Sequence, residues 1–220
     1  MKKLQSTFKT ILLCTLTLLF FNCTKEKGVI SNINFNYSTF TDSRDGKTYK
    51  SIKIGSQVWM AENLAYKTAS GSSTYIDDAN YGIEYGRLYT WDAAIQAVPN
   101  GWHLPTDEEW KQLEMLLGMS QKDADGIGGR GTNEGGKLKT TSGWAVNGNG
   151  TDEVGFLALP GGMQMNSGGF TGLNYWGYWW SATDSINSTA WFRELLYGDS
   201  KIYRDLSFKG DGMSVRCVKD

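Results

Sequence analysis

The ten residues GWHLPTDEEW, Gly101–Trp110, decide how the middle of this chain folds. Thr106 is followed three residues later by Glu109, the spacing of a capping box. In that device the threonine oxygen accepts a free amide of the first turn and the glutamate reaches back to the amide of the cap. Leu104-Pro105 sets an extended approach, because proline disfavours helix in the residue before it. Trp110, Leu113 and Leu117 recur at i, i+3 and i+7, which gives the helix one apolar face. Gly118 stands where helices commonly stop. The stretch predicts a helix over residues 107–117. It specifies folding and names no reaction.

The N-terminus has to be set aside before the fold is argued. Lys2, Lys3 and Lys9 make a basic start, and Thr10–Phe21 is an uncharged, mostly apolar run of twelve residues. A bilayer crossing needs about 20 such residues, so the run fits a signal h-region. Cys23 follows directly after Phe20-Phe21-Asn22. This arrangement predicts a lipoprotein signal over residues 1–22 and lipidation at Cys23, which would tie the protein to a membrane. The phenylalanines and asparagine depart from the small residues usual before such a cysteine, and an ordinary secretory signal cut elsewhere is the alternative. Lys25-Glu26-Lys27 resembles a short surface-export signal of Bacteroidetes lipoproteins. The expected location is the cell envelope, as an outer-membrane lipoprotein on the periplasmic or the surface face.

Removing residues 1–22 takes away three lysines and no acid, which moves the net charge from −1 to −4. A mildly acidic body without a basic run argues against nucleic acid, whose phosphates require clustered Lys and Arg. Of the three cysteines, Cys14 would leave with the signal and Cys23 would be acylated, so only Cys217 remains. A single thiol excludes an internal disulfide, and one cysteine with one histidine excludes a zinc site of the Cys/His type. No metal and no cofactor is expected.

Residues 23–41, polar and rich in Asn and Ser, read as a tether whose latter part docks on the domain, and residues 42–220 as one folded domain. Asp45-Gly46 is a turn signal, Lys47–Ile54 a strand, Gly55-Ser56 a turn and Gln57–Met60 its returning partner. A short helix from Trp91 to Ala97, with Thr90 as its cap, precedes the capped one. Phe156–Leu159 reads as a strand, and the C-terminal part as four more: Tyr178–Ser181, Thr189–Leu196, Lys201–Leu206 and Gly212–Val218. Two helices followed by short strands with tight turns predict an α+β fold with a mainly antiparallel sheet.

Seven blocks carry a resemblance: QVWMAENLAY (Gln57–Tyr66), YGRLYTWDAA (Tyr85–Ala94), GWHLPTDEEW, GGKLK (Gly135–Lys139), GFLALPGG (Gly155–Gly162), WWSAT (Trp179–Thr183) and SVRCVKD (Ser214–Asp220). In this order they are similar to the Fibrobacter succinogenes major paralogous domain, over roughly Asp42–Asp220. The resemblance implies an exported protein or lipoprotein of Bacteroidetes or Fibrobacteres and no established activity. More distantly, the Leu-Pro-Thr helix entry and Arg216-Cys217 resemble the formylglycine-generating enzymes, which implies a C-type-lectin-like scaffold.

Residues argue against catalysis. The related oxidases hold copper with two cysteines, and here Cys217 stands alone on a strand face with Met213 and Val215, the setting of a small core residue. His103, between Trp102 and Leu104, has no second histidine and reads as a hydrogen-bonded packing residue. Asp123, Asp125, Gly126 and Glu134 match an EF-hand loop at four positions, but Ile127 occupies the fifth ligand position and no helix pattern follows, so a solvated glycine loop is the better reading. The remaining candidate is Met163–Trp180, MQMNSGGFTGLNYWGYWW. Its amides and aromatics are the groups that hold sugars, with Asn166, Asn174, Tyr175 and Trp176 as the expected ligand residues and Trp179 and Trp180 entering the core. The expected function is a binding or structural module for a glycan. The alternatives are adhesion or assembly through an envelope protein, and a disfavoured formylglycine-generating-type enzyme. Cys23→Ala is expected to give a protein that a fatty-acid probe no longer labels and membranes no longer retain; labelling that persists would exclude Cys23 as the lipid site.

Overall fold

Short strands of two to nine residues dominate, because runs that carry β-branched and aromatic residues are soon broken by turns at Gly, Asn or Asp. The computed structural model describes residues 35–220. Its first half contains strands β1 (Ser38–Thr41), β2 (Thr48–Ile54), β3 (Gln57–Met60) and β4 (Ser72–Ser73), then α1 (Ala79–Tyr85), β5 (Leu88–Tyr89), α2 (Trp91–Ala97), β6 (Trp102–His103) and α3 (Asp107–Leu116). The second half contains α4 (Gln121–Ala124), β7 (Gly128–Arg130), α5 (Glu134–Leu138), β8 (Gly161–Gln164), β9 (Phe170–Leu173) and β10 (Trp176–Asp184). β11 (Thr189–Leu196), β12 (Ile202–Phe208), β13 (Met213–Ser214) and β14 (Val218–Lys219) complete it.

The architecture is α+β and mostly β. One sheet, in the order β1-β2-β3-β14-β6, is antiparallel throughout. The other runs β4-β5-β13-β10-β11-β12-β7, with β8 pairing β10 and β9 pairing β8. Only the pairings of β10 with β8 and with β13 are parallel. Gly55 turns the β2–β3 hairpin at φ +62°, a backbone conformation that costs other residues about 1–2 kcal/mol.

Two apolar clusters form the core, and β10 serves both. Strand alternation sends Trp179 into one with Trp59, Trp110 and Phe156, and Trp180 into the other with Tyr49, Tyr89 and Cys217. Both tryptophans are fully buried, and each finds a partner for its ring nitrogen. Trp179 donates to Asn63 Oδ1 at 3.0 Å and Trp180 to the Tyr89 carbonyl at 2.8 Å.

Several expectations need correction. There are five α-helical segments among the described residues, not two; α1, α4 and α5 are four to seven residues long, too short to show a helical period. Residues 156–159 are not a strand, because Leu157 adopts φ +57° and only Ala158 bridges, to Lys139. Gly212–Val218 is not one strand. Met213–Ser214 belongs to the larger sheet and Val218–Lys219 to the smaller, and every residue from Asp211 to Val218 is buried. The latter part of residues 23–41 does dock on the domain: β1 pairs Ser38–Thr41 with β2, and the Phe35 and Tyr37 rings pack on the core. Residues 1–22 and Cys23 lie outside the described residues.

The capping box forms as its spacing predicts. Thr106 Oγ1 accepts from the Glu109 amide at 3.2 Å, and Glu109 Oε2 accepts from the Thr106 amide at 2.8 Å. Glu109 also accepts from His103 Nε2 at 2.7 Å, while His103 Nδ1 meets Asp220 Oδ1 at 2.7 Å. Burial opposes a charged ring there, but the two carboxylates outweigh it and raise the His103 pKa.

α3 is docked by charge as well as by Trp110 and Leu113. Asp107 Oδ1 accepts from Arg193 Nη1 and Arg204 Nε, both at 2.8 Å, and Asp107 Oδ2 from Arg204 Nη2 at 2.8 Å. Glu114 accepts from Arg130 at 2.7 and 2.9 Å and from Arg193 Nε at 2.5 Å. All five residues are buried. Burial works against the Asp107 carboxylate, yet the arginines prevail and pull its pKa down to about 2. Its stabilisation is complete above the ordinary carboxylate value and disappears as pH falls through about 2. Asp107→Asn is expected to cost about 3–5 kcal/mol, because it strands buried arginines, and to flatten the acid limb of stability between pH 4 and 2. Denaturant midpoints measured across that range check both, and an unchanged midpoint at pH 7 would refute the assignment.

Candidate functional site

The expected loop Met163–Trp180 is a hairpin, and that separates Asn166 from the other residues expected to converge with it. β8 and β9 pair Gly161 with Leu173 and Gln164 with Phe170. Asn166 lies in their turn, where its amide donates to Asp211 Oδ1 at 2.8 Å. Asn174 lies at the other end of β9, in the left-handed region at φ +67°, and its side-chain oxygen accepts from the Tyr85 hydroxyl at 2.9 Å. Tyr175 is 44% exposed. Trp176 is half-buried rather than projecting to solvent. Tyr175 lies in the turn that precedes β10 and its ring packs against Tyr197, whereas Trp176 begins β10 and its ring lies over Gly172. The structure thus places Asn166 in the β8–β9 turn and Asn174, Tyr175 and Trp176 together at the turn into β10.

The Tyr175 ring meets Tyr197 edge-on at 5.1 Å, the cross-strand neighbour whose amide donates to the Tyr175 carbonyl. Tyr197 borders a polar cavity of about 270 Å³ with Asn147, Asn149 and Ser200. Lys139 forms part of its floor. Its Nζ donates to the carbonyls of Leu196, Asp199 (2.5 Å) and Gly148 (3.4 Å), and burial pushes its pKa down to about 8. Three carbonyls match the three N–H bonds of an ammonium. Lys139 thus fastens three loops together and has no donor left over.

On the Trp176 face, the side chains line up across three strands. Tyr178 on β10 faces Glu194 on β11, and Glu194 faces Tyr203 on β12. Phe192 and Asp205, themselves partners, follow on the same face. The ends of this row are two rings that lie where glycines leave room. The Trp176 ring fills the space above Gly172, at φ +82°, where an added Cβ would come within 2.6 Å of it. The Tyr203 ring fills the space above Gly129, where an added Cβ would come within 2.9 Å. Tyr178 meets Trp176 edge-on at 6.5 Å, and the Tyr203 hydroxyl donates to Asp199 Oδ2 at 2.8 Å. Tyr178 and Tyr203 are two inter-strand spacings apart, about 9.5 Å.

Glu194, half-buried between them, carries the unusual titration. Burial raises its pKa and the Asp205 charge adds to the rise, against a hydrogen bond from the Tyr178 hydroxyl. Burial and Glu194 together raise the Tyr178 pKa in turn. No cation is among the influences on Glu194. Among the described residues no cluster of three His, Cys, Asp or Glu side chains is arranged to hold a metal. Cys217 is buried and its thiol is pushed up, the state of an inert core residue.

Trp176 is the one expected residue that the row uses. Tyr178, Glu194 and Tyr203 were missed, because they lie on three strands whose register depends on turn geometry. The available signal was a lone acid inside the apolar strand TAWFRELL, Thr189–Leu196.

The model of one protein family, described as the Fibrobacter succinogenes major domain, matches residues 52–219, three quarters of the chain. No curated protein and no solved structure matches it. Gly172→Ala should destabilise the fold by roughly 1–3 kcal/mol, because the alanine is strained at positive φ and displaces the Trp176 ring. Urea unfolding followed by tryptophan fluorescence measures it, and a wild-type midpoint would mean that the ring is not seated there.

Proposed function

The chain belongs to the Fibrobacter succinogenes major domain family, and for it we propose a binding role: a lipid-anchored module of the cell envelope whose aromatic row holds a glycan chain. The observation that carries this reading is the pair of rings, Trp176 and Tyr203, laid over Gly172 and Gly129 on either side of Glu194. Sugar C–H faces stack on such rings and a carboxylate accepts sugar hydroxyls. An aromatic contact of this kind is worth on the order of 1 kcal/mol, so a single module binds weakly. Copies anchored side by side through Cys23 would engage one polymer together, and linked sites raise the effective concentration.

The basic start, the short apolar run and Cys23 support export and anchoring. The capped helix entry and the short, mostly antiparallel strands support a C-type-lectin-like scaffold as the finer description of the fold. An oxidase of the formylglycine-generating type is disfavoured, since Cys217 has no partner cysteine in the body of the chain and is buried. Tyr203→Ala and Trp176→Ala are each expected to weaken retention in glycan affinity gels about fivefold, while Tyr175→Ala, outside the row, leaves it unchanged. Equal migration of the two row variants and wild type in gels that retard wild type would refute the row as the binding surface.

A further inference from the structure

The charge of the row bears on which glycan it holds. Glu194 sits at its centre, half-buried, with Tyr178 of β10 on one side and Tyr203 and Asp205 of β12 on the other. None of these neighbours supplies a positive charge. The Tyr203 hydroxyl is already committed to the Asp199 carboxylate, and the Tyr178 hydroxyl, which does hydrogen-bond to Glu194, carries no charge. A half-buried carboxyl without a cation is held partly against its ionised form, whereas an arriving ammonium would restore that form.

We propose that the row selects glycans bearing free amino groups, such as a glucosamine polymer, over neutral or N-acetylated ones. The proposal rests on the glycan reading above. The ligand ammonium lies over Glu194 and pairs with its carboxylate. A neutral hydroxyl hydrogen-bonds to the carboxyl in either protonation state and gains no such pairing. Binding of the amine is therefore coupled to loss of the Glu194 proton, and neutral sugars lack that coupling. The preference weakens with salt, as expected of a partly exposed ion pair.

Calorimetric titration of the protein with a glucosamine hexamer, its fully N-acetylated counterpart and cellohexaose tests this, at a mildly acidic pH where the amines are charged. The glucosamine hexamer is expected to bind about fivefold to tenfold more tightly than either neutral chain. Repetition in buffers of different ionisation enthalpy should show proton release with it alone. Glu194→Gln should bring all three chains to the same weak affinity and abolish the proton release. Equal affinities in the wild type would overturn the proposal and leave the glycan reading standing. Absence of binding to all three would remove both. A glucosamine preference that survives in Glu194→Gln would show that the selecting charge is not Glu194.

Discussion

Arg193 and Arg204 stand directly opposite one another on neighbouring strands, an arrangement that is unfavourable without an anion between them. Asp107 supplies that anion from the first turn of α3, with one carboxylate oxygen accepting from both guanidinium groups. Much of the remaining structure follows from this requirement. The helix has to lie where Asp107 reaches the pair, and that places Trp110 against Trp59 and Phe156. Glu114, two turns on, then meets Arg193 from the other side and gathers Arg130 from β7. The desolvation of five charged groups is recovered only if their geometry holds. The network therefore specifies one seating of the helix more than it adds net stability.

The same constraint sets the opposite face. On β11 and β12 alternate residues point to opposite sides. Fixing Arg193 and Arg204 toward α3 leaves Glu194, Tyr203 and Asp205 no choice but the other surface. A one-residue slip in either strand would turn Glu194 or Tyr203 toward α3 and one of the arginines away from it. The buried ionic network thus acts as the register lock for the face that carries Glu194 and Tyr203, although it lies on the opposite side of the sheet.

What the sequence disclosed divides along physical lines. The capped helix was legible because its cap, period and stop all lie within eighteen residues. The β2–β3 hairpin and β11 were legible because alternation and turn glycines are local signals. The network was not, since Asp107 and Glu114 look like ordinary solvent-facing acids on an amphipathic helix until Arg130, Arg193 and Arg204 arrive from up to 97 residues away. Residues 213–218 misled for a related reason. Their alternation is real, with Met213, Val215 and Cys217 in one cluster, but Ser214 and Arg216 point to buried Asn63 instead of to water. The row was half legible: Trp176 stood out by type, while its partners were set by register.

That C-terminal segment also bears on how the chain reaches its folded state. Val215 and Cys217 accept from the Leu64 and Met60 amides, Val218 sits between Trp59 and His103, and Asp220 closes on Gly101 and His103. Residues 215–220 thus complete the sheet that residues near 60 began. Until they are in place, the sheet lacks the strand that joins β3 to β6 and the core lacks one wall of a cluster. The smaller sheet is therefore closed by contacts of long sequence separation, which makes its completion a slow step of folding.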